Sequence, residues 1–570
     1  MNLRDQFQRH WAMWLALTVL FLVLALVIYL PLLELLQESL RLNGEWSLAN
    51  FQRFFDFENP TYLRALWGSV AISALTVLGS ALVGVPLAIF FARFQFPGRK
   101  LFGVLMTLPL LLPPLVGVIA FYFLMSETGI IPRVLQRVLH LETAPLVLRD
   151  VPAILLVHIY SFYVFFYLFS RNALAGLDRS LEEAASGLGA SRFMLWRRVI
   201  LPQLQPALLG ASMLVFMNSM ASFTAPYMFG GNSTWRFLSL EIYKAKLNGD
   251  LALSLTQAVI LAGISLVFLF LMRWYGRDHP AGRGSKGVAM PPRYVTKPWQ
   301  KVLLALGGGL AIFLLMLPQL TLVLIAFVKN DSWTWQILPE EFTLKNFANL
   351  FTTADMAEPW LNSLWMSAIA TAAGVFVAVA AAFLSTRPRR SRTLNHMIDA
   401  SVMLPWAVPG TVIAIALIIV FDQPYWFTGG SILIGSAAIL PLAYFIRHLP
   451  IQFRAAVASF AQLDPALEEA AQNLGASWAM RFRHVTLPLI LPGIVTGGMM
   501  AFVIALGEFV SSILLYTYSN RPLSIAIFSE LRLFNLGSAA AYSVLLTVLI
   551  GLVMWLGQKW SGTRNDNLPG

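Results

Sequence analysis

The chain has 570 residues, 58% hydrophobic and only 12% charged, with a mean hydropathy of +0.70, which excludes a soluble enzyme and indicates an integral membrane protein. In such a chain the formal charge of +12 reports which loops are basic, so nucleic acid is not an expected partner and membrane lipid is. With no cysteine, disulfides, CxxC redox chemistry and thiolate metal sites are excluded.

Apolar runs of about 20 residues, the length an α-helix needs to cross roughly 30 Å of hydrocarbon, recur along the chain. The first, Trp14 to Leu33, is too long for a signal-peptide core and lacks a small-x-small cleavage site, so it is expected to stay as a span. Twelve spans are predicted: 13–34, 66–91, 101–125, 153–170, 207–230, 252–272, 302–327, 361–385, 397–421, 430–446, 491–515 and 541–558. Pro109, Pro113 and Pro114 in the third, with Pro405 and Pro409 in the ninth, are expected to kink or break those helices.

Residues 273–301 are rich in Gly, Pro and basic side chains, have no apolar period, and read as a flexible linker between modules 1–272 and 302–570. Six spans on each side make both modules cross the membrane in the same sense. The expected fold is an all-α integral membrane protein, twelve transmembrane helices in two parallel six-helix modules. With both termini cytoplasmic, about two thirds of the 40 Lys and Arg fall on the cytoplasmic side, as the positive-inside rule requires.

The modules echo each other. Leu48-Ala-Asn-Phe returns as Leu344-Lys-Asn-Phe, Leu108-Pro109 with Pro113 as Leu404-Pro405 with Pro409, and Trp67 with Ser69 as Trp365 with Ser367. The strongest echo lies in the loops 171–206 and 447–490. Leu177 to Ser191 (LDRSLEEAASGLGAS) and Leu463 to Ser477 (LDPALEEAAQNLGAS) agree at 11 of 15 positions, 286 residues apart.

In each copy an Asp (Asp178, Asp464) is placed to N-cap a short helix, and Pro465 adds a first-turn proline. The glutamates that follow suit the positive end of the helix dipole. Leu181, Ala184, Ala185 and Leu188 share one small apolar face, and Gly189 and Gly475 end the helix or admit a close neighbour. A second limb, Arg192 to Ile200 and Trp478 to Thr486, is expected to resume helix up to Leu201-Pro202 and Leu487-Pro488. These residues alone fit both a loop helix packed on its own bundle and a device for meeting a partner.

The spacing of Glu183-Ala184-Ala185, Gly189 and Leu201-Pro202, repeated as Glu469-Ala470-Ala471, Gly475 and Leu487-Pro488, resembles the EAA motif of binding-protein-dependent ABC importer permeases. Two full copies, each between spans four and five of its module, extend the resemblance over essentially the whole chain. The resemblance implies that the short helices are coupling helices seated on an ABC ATPase, two copies of which would bind. The docking residues would be Glu182, Glu183, Ala184, Ala185 and Gly189, with Glu468, Glu469, Ala470, Ala471 and Gly475. It further implies a solute-binding protein on the outer face, a bacterial cytoplasmic-membrane location, and no second permease chain. The sequence has no GxxxxGK[ST], so this chain is expected to bind no cofactor, to be no enzyme, and to leave ATP and Mg to the ATPase.

Polar groups at membrane depth are the candidates for a translocation path: Asn218, Ser219 and Ser222 in the fifth span, Glu508, Ser511 and Ser512 in the eleventh. Two readings of Glu508 stand, a hydrogen-bonded lock between helices and a group on the path; Gly507 beside it would allow close packing. His158, Tyr160 and Tyr163 read as packing or interfacial groups.

A single chain with two EAA modules most resembles ferric-iron importer permeases, and phosphonate and thiamine permeases share the layout. Ferric ion favours carboxylate and phenolate oxygens, and the outer loops offer Glu241, Asp250 and Glu530, which do not decide the solute. A metal site on this chain is left open. An ion-coupled secondary carrier, with Glu508 as its proton site, is the alternative class; duplicated EAA loops speak against it, since such a carrier has no ATPase to dock.

Overall fold

A computed structural model describes residues 3–42, 44–177, 179–230, 235–277, 293–330, 332–333, 336–386 and 392–565. Most of the linker therefore lies outside the described residues, as does Asp178.

In chain order the helices are α1 (Leu3–Leu24), α2 (Leu30–Ser39), α3 (Ala49–Phe54), α4 (Thr61–Arg93), α5 (Arg99–Leu105), α6 (Pro114–Met125), α7 (Ile130–Val138), α8 (Asp150–Ala175), α9 (Arg179–Gly187), α10 (Arg192–Leu195), α11 (Leu201–Met220), α12 (Thr224–Phe229), α13 (Leu238–Leu247) and α14 (Leu251–Arg277). Beyond the linker come α15 (Pro298–Ala326), α16 (Lys345–Thr352), α17 (Ala354–Ser385), α18 (Arg392–Ala407), α19 (Gly410–Phe421), α20 (Ile439–Ala461), α21 (Pro465–Asn473), α22 (Trp478–Arg481), α23 (Leu487–Leu506), α24 (Ser512–Leu515), α25 (Leu523–Arg532) and α26 (Leu536–Asn565). Strands among the described residues amount to two short pairs, 41–42 with 45–46 and 94–95 with 293–294.

Ten of the described helices are long and apolar enough to cross a membrane, and α18 with α19, bent by 102° at their break, count as an eleventh if the pair is one span. The twelfth is α20. It begins at Ile439, so the predicted span 430–446 is displaced: 430–438 is not helical and the helix runs on to Ala461. Arg447, His448, Gln452 and Arg454 end the apolar run in sequence without ending the helix. The prolines act as expected. The third span breaks after α5, passes through a 3₁₀ turn at Leu108–Leu111, and restarts with Pro114 as the first residue of α6.

The chain packs as two compact units. The first gathers residues 1–50, 251–259 and 344–570, and the second 51–250 and 260–343. In the first unit α17, α20 and α23 pack against one another, α26 lies on α23, and the opening helices α1 and α2 pack on α17 and α19. Tyr29 of the π turn between α1 and α2 shares a 2.9 Å hydrogen bond with Ser401 of α18. In the second unit α4, α8 and α11 form the matching trio, while α15 packs on α6 and α5. There Tyr160 donates to the Leu315 carbonyl at 3.0 Å and accepts from Gln319 at 2.6 Å. Packing thus assigns the opening helices of each sequence module to the unit built mainly from the other.

Small residues make the trios close. α4 buries Ala65, Gly68, Ser69, Ser73, Ser80, Gly84 and Ala88 along one face, and α17 buries Ser363, Ser367, Ala370, Gly374 and Ala378. Such stripes bring helices together where hydrocarbon leaves little hydrophobic drive between them. A Cβ on Gly84 would strike the Tyr163 carbonyl and Phe166, and one on Gly374 would strike the Gln452 amide.

Candidate functional site

The repeated segments fold alike. α9 and α21 each end in a Schellman motif: Ala190 N–H donates to the Ala185 carbonyl and Gly189 N–H to Ser186, and Ala476 and Gly475 do the same to Ala471 and Gln472. Gly189 and Gly475 hold φ of +77° and +82°, the left-handed backbone that favours glycine. Asp464 caps α21 by accepting from Ala466 N–H at 2.9 Å. Ser191 and Ser477 accept from Met194 and Met480 N–H, both at 3.3 Å, and so start the second limbs. Each limb then passes through a π turn, Trp196–Ile200 and Phe482–Thr486, into α11 and α23.

The glutamates of each pair differ in surroundings. Glu182 is buried, and its carboxylate takes both arms of Arg93, at 2.7 and 2.5 Å. Glu468, half-buried, accepts from Thr486 Oγ1 at 2.6 Å. Glu183 and Glu469 are exposed, as are Ala184 and Ala470, while Ala185 and Ala471 are half-buried. Leu188 and Leu474, just before the left-handed glycines, are each 89% exposed, and Leu181 and Leu467 stand with them. Two equivalent small helices therefore present a Glu, an Ala and two leucines.

The membrane-depth candidates fall into two clusters, one in each unit. In the second unit α11 ends at Met220, and Ser222 lies in the break before α12. His158 of α8 meets Ser222 through Nε2 at 2.9 Å, and Ser219 and Thr76 through Nδ1 at 3.2 and 3.3 Å. His158 is thus a hub of this network and more than a packing group. Asn218 does not join it: it is exposed and donates to its own helix at Leu214.

In the first unit Glu508 occupies the equivalent break, between α23 and α24. Its carboxylate accepts from Arg447 Nη1 at 2.6 Å and from Ser511 N–H at 3.0 Å, and His448 Nε2 stands 3.9 Å away. Its carbonyl accepts from Ser512 and Ser524 at 2.6 and 2.7 Å, and Tyr444 shares a 2.7 Å bond with Ser512. Ser222 repeats the backbone part, accepting from Ser239 at 2.7 Å. Ser511 and Ser512 are fully buried here.

Arg447 is the correction to the sequence reading, which placed it at the start of a cytoplasmic loop. It lies within α20, paired to Glu508, with Gly410 leaving the room its guanidinium fills. Tyr444, His448 and Arg93 were also missed as site residues. Sixty or more residues separate each ion-pair partner in sequence, and no local pattern reports such a contact.

Another register shifts by one helical turn. Ser69 accepts from Leu238 N–H at 2.8 Å and Ser363 accepts from Leu523 N–H at 2.7 Å, so Ser363, not Ser367, is the counterpart of Ser69. These bonds seat the short buried helices α13 and α25.

The outer acids have basic or amide partners. Glu241 sits 3.1 Å from Lys244, Asp250 sits 2.6 Å from Arg53, and Glu530 accepts from Asn535 at 2.9 Å. The Asp250 hydrogen bond raises Arg53 above its ordinary pKa. Among the described residues no three His, Asp or Glu gather as a metal site.

Two modules of membrane-crossing helices, each interrupted after its fourth span by a matching exposed helix, define an ABC transporter permease. The chain belongs to the family of binding-protein-dependent transport system inner membrane components, whose pattern it matches twice, over residues 84–278 and 370–561. It is 31% identical over 522 residues to the probable ABC transporter permease protein y4fN of Sinorhizobium fredii, covering 90% of each chain. It is 25% identical over 545 residues to the Fe(3+)-transport system permease protein FbpB 2 of Haemophilus influenzae, covering 96% of this chain and 98% of that one. A relative from Salmonella choleraesuis named for 2-aminoethylphosphonate transport is 28% identical over 244 residues, 41% of this chain and 89% of its own length.

Proposed function

We propose that this chain is the complete membrane pathway of an ATP-driven importer and that its cargo is ferric iron. The observation that carries the transport mechanism is the matched pair α9 and α21, each offering an exposed Glu, Ala and two leucines beyond its bundle. Each helix would sit in a cleft of one ATPase subunit, with Glu183 and Glu469 meeting basic side chains there and the leucines filling apolar space. ATP and Mg belong to those subunits, and this chain performs no chemistry of its own. The docking helices face the cytoplasm in this reading, as the distribution of basic residues supports. A loaded solute-binding protein engages the opposite face, and closure of the ATPases rocks the two modules to expose the cargo alternately to each side.

Ferric iron is supported by the relative that matches nearly end to end and is named for Fe(3+) transport. An oxyanion such as a phosphonate is the second reading, favoured by the half-length relative and by the cationic or amide partner beside each outer acid. The solute is decided by uptake of radiolabelled ferric ion and of a labelled phosphonate into membranes holding the whole transporter. Phosphonate uptake without iron uptake removes the iron assignment.

Docking is tested by Glu183→Lys with Glu469→Lys. The double variant is expected to insert and fold but to lose the ATPase on purification. Retention of the ATPase would defeat the docking assignment.

A further inference from the structure

We infer that Arg93 is the positioning residue of the first docking helix, so that the two adjacent glutamates of the repeat have opposite duties: Glu182 fixes α9 to its own bundle, and Glu183 faces the ATPase. The inference rests on the docking reading above.

Three elements meet at Arg93. It is the last residue of α4, the long helix packed along α8 and α11. Both terminal nitrogens of its guanidinium reach the two oxygens of Glu182, at 2.7 and 2.5 Å. The same guanidinium lies 5.6 Å over the ring of Trp196, the first residue of the π turn. A two-point fork on a planar cation restrains rotation as well as distance, which a single lysine contact does not. The Trp196 ring gives the same cation a second contact, in the π turn.

Burial does little to hold α9. Leu181 and Leu188 point to solvent, and Ser186 spends its hydroxyl within the helix, on the Glu182 carbonyl at 2.8 Å. Glu182, at 7% exposure, is the most buried of the described side chains of this helix. A push on α9 therefore reaches α4 through the Arg93–Glu182 fork and reaches α11 through Trp196. Without the fork the docking surface keeps its atoms and loses its fixed direction.

The absence of cysteine allows the test by site-directed spin labelling of the full chain with its ATPase bound. Labels on Gly187→Cys of α9, where a Cβ meets open space, and Leu101→Cys of α5, both exposed, report the orientation of the docking helix by their distance distribution. In Arg93→Met and in Glu182→Gln the distribution is expected to broaden about twofold or more, with the ATPase still copurifying. The exchange Arg93→Glu with Glu182→Arg is expected to narrow it again, and Arg93→Lys to fall between. A parental distribution in Arg93→Met overturns the assignment, as does an exchange no better than the single variants. Glu183→Lys with Glu469→Lys separates the two levels: ATPase retention there defeats the docking reading, while ATPase loss there with an unchanged Arg93→Met distribution defeats the Arg93 assignment alone.

Discussion

Arg447 of α20 donates to Glu508 at 2.6 Å across a gap of 61 residues, and this pair joins the helix that leads into one docking segment to the break that follows it. α20 runs down to α21, and α23 climbs from the second limb to Gly507. The two arms of the second coupling loop are therefore tied at membrane depth by a charged contact. In the other unit His158 and Ser222 tie the corresponding arms without a formal ion pair.

Removing one member of the Arg447–Glu508 pair leaves the other charge largely buried. Glu508→Leu or Arg447→Met is expected to cost about 3–5 kcal/mol, whereas the two changes together cost less than either alone. Thermal unfolding in detergent of the four proteins measures this. A double variant as unstable as the sum of the singles would show that the pair is not coupled.

Gly84 and Gly374 both admit close neighbours, but the neighbours differ. A methyl at Gly84 meets the backbone of Tyr163 and Tyr167, which cannot move aside; at Gly374 it meets the flexible Gln452 amide. Gly84→Ala is expected to destabilise by about 1–3 kcal/mol and Gly374→Ala by less. The order of the two melting temperatures is the check.

Gly189 and Gly475 have open space around a would-be Cβ, so their cost on substitution is conformational alone. Alanine at either is expected to cost about 1–2 kcal/mol locally, with asparagine tolerated better. Amide exchange of α9 and α21 should quicken in the alanine variants and leave α8 and α20 unchanged. Equal protection would mean the motif does not hold the helix end.

Ser69→Ala and Ser363→Ala each strip a buried backbone N–H of its acceptor. Both are expected to cost about 1–3 kcal/mol, and by similar amounts, because the two bonds are equivalent. A large effect at Ser367 with none at Ser363 would restore the register suggested by the Trp-x-Ser echo.

Much of this was legible in the sequence because it is local. Helix caps, the left-handed glycines and the proline breaks depend on residues within a turn or two of each other, and the 286-residue repeat of the caps and glycines made those conspicuous. The end of α20 was not legible, since hydropathy reads Arg447 as the edge of the membrane while Glu508 lets it continue inside. The sorting of Glu182 from Glu183 was equally hidden. Both are acids in the first turns of one helix, and what separates them is Arg93, 89 residues away. The Trp67–Ser69 echo misled for a related reason: residues four apart lie on the same helix face.

The packing of α1 and α2 on α17 and α19 has a consequence for synthesis. Those opening helices leave the ribosome more than 300 residues before the surfaces that will cover them. At about 5–20 residues per second that interval is roughly 15–80 s. During it, lipid or the insertion machinery must shelter Leu17, Leu20, Leu24 and Ile28, all nearly inaccessible once folded. Assembly of the first unit is consequently a late event in the life of the nascent chain, and a ribosome stalled within the linker would leave that unit without most of its helices.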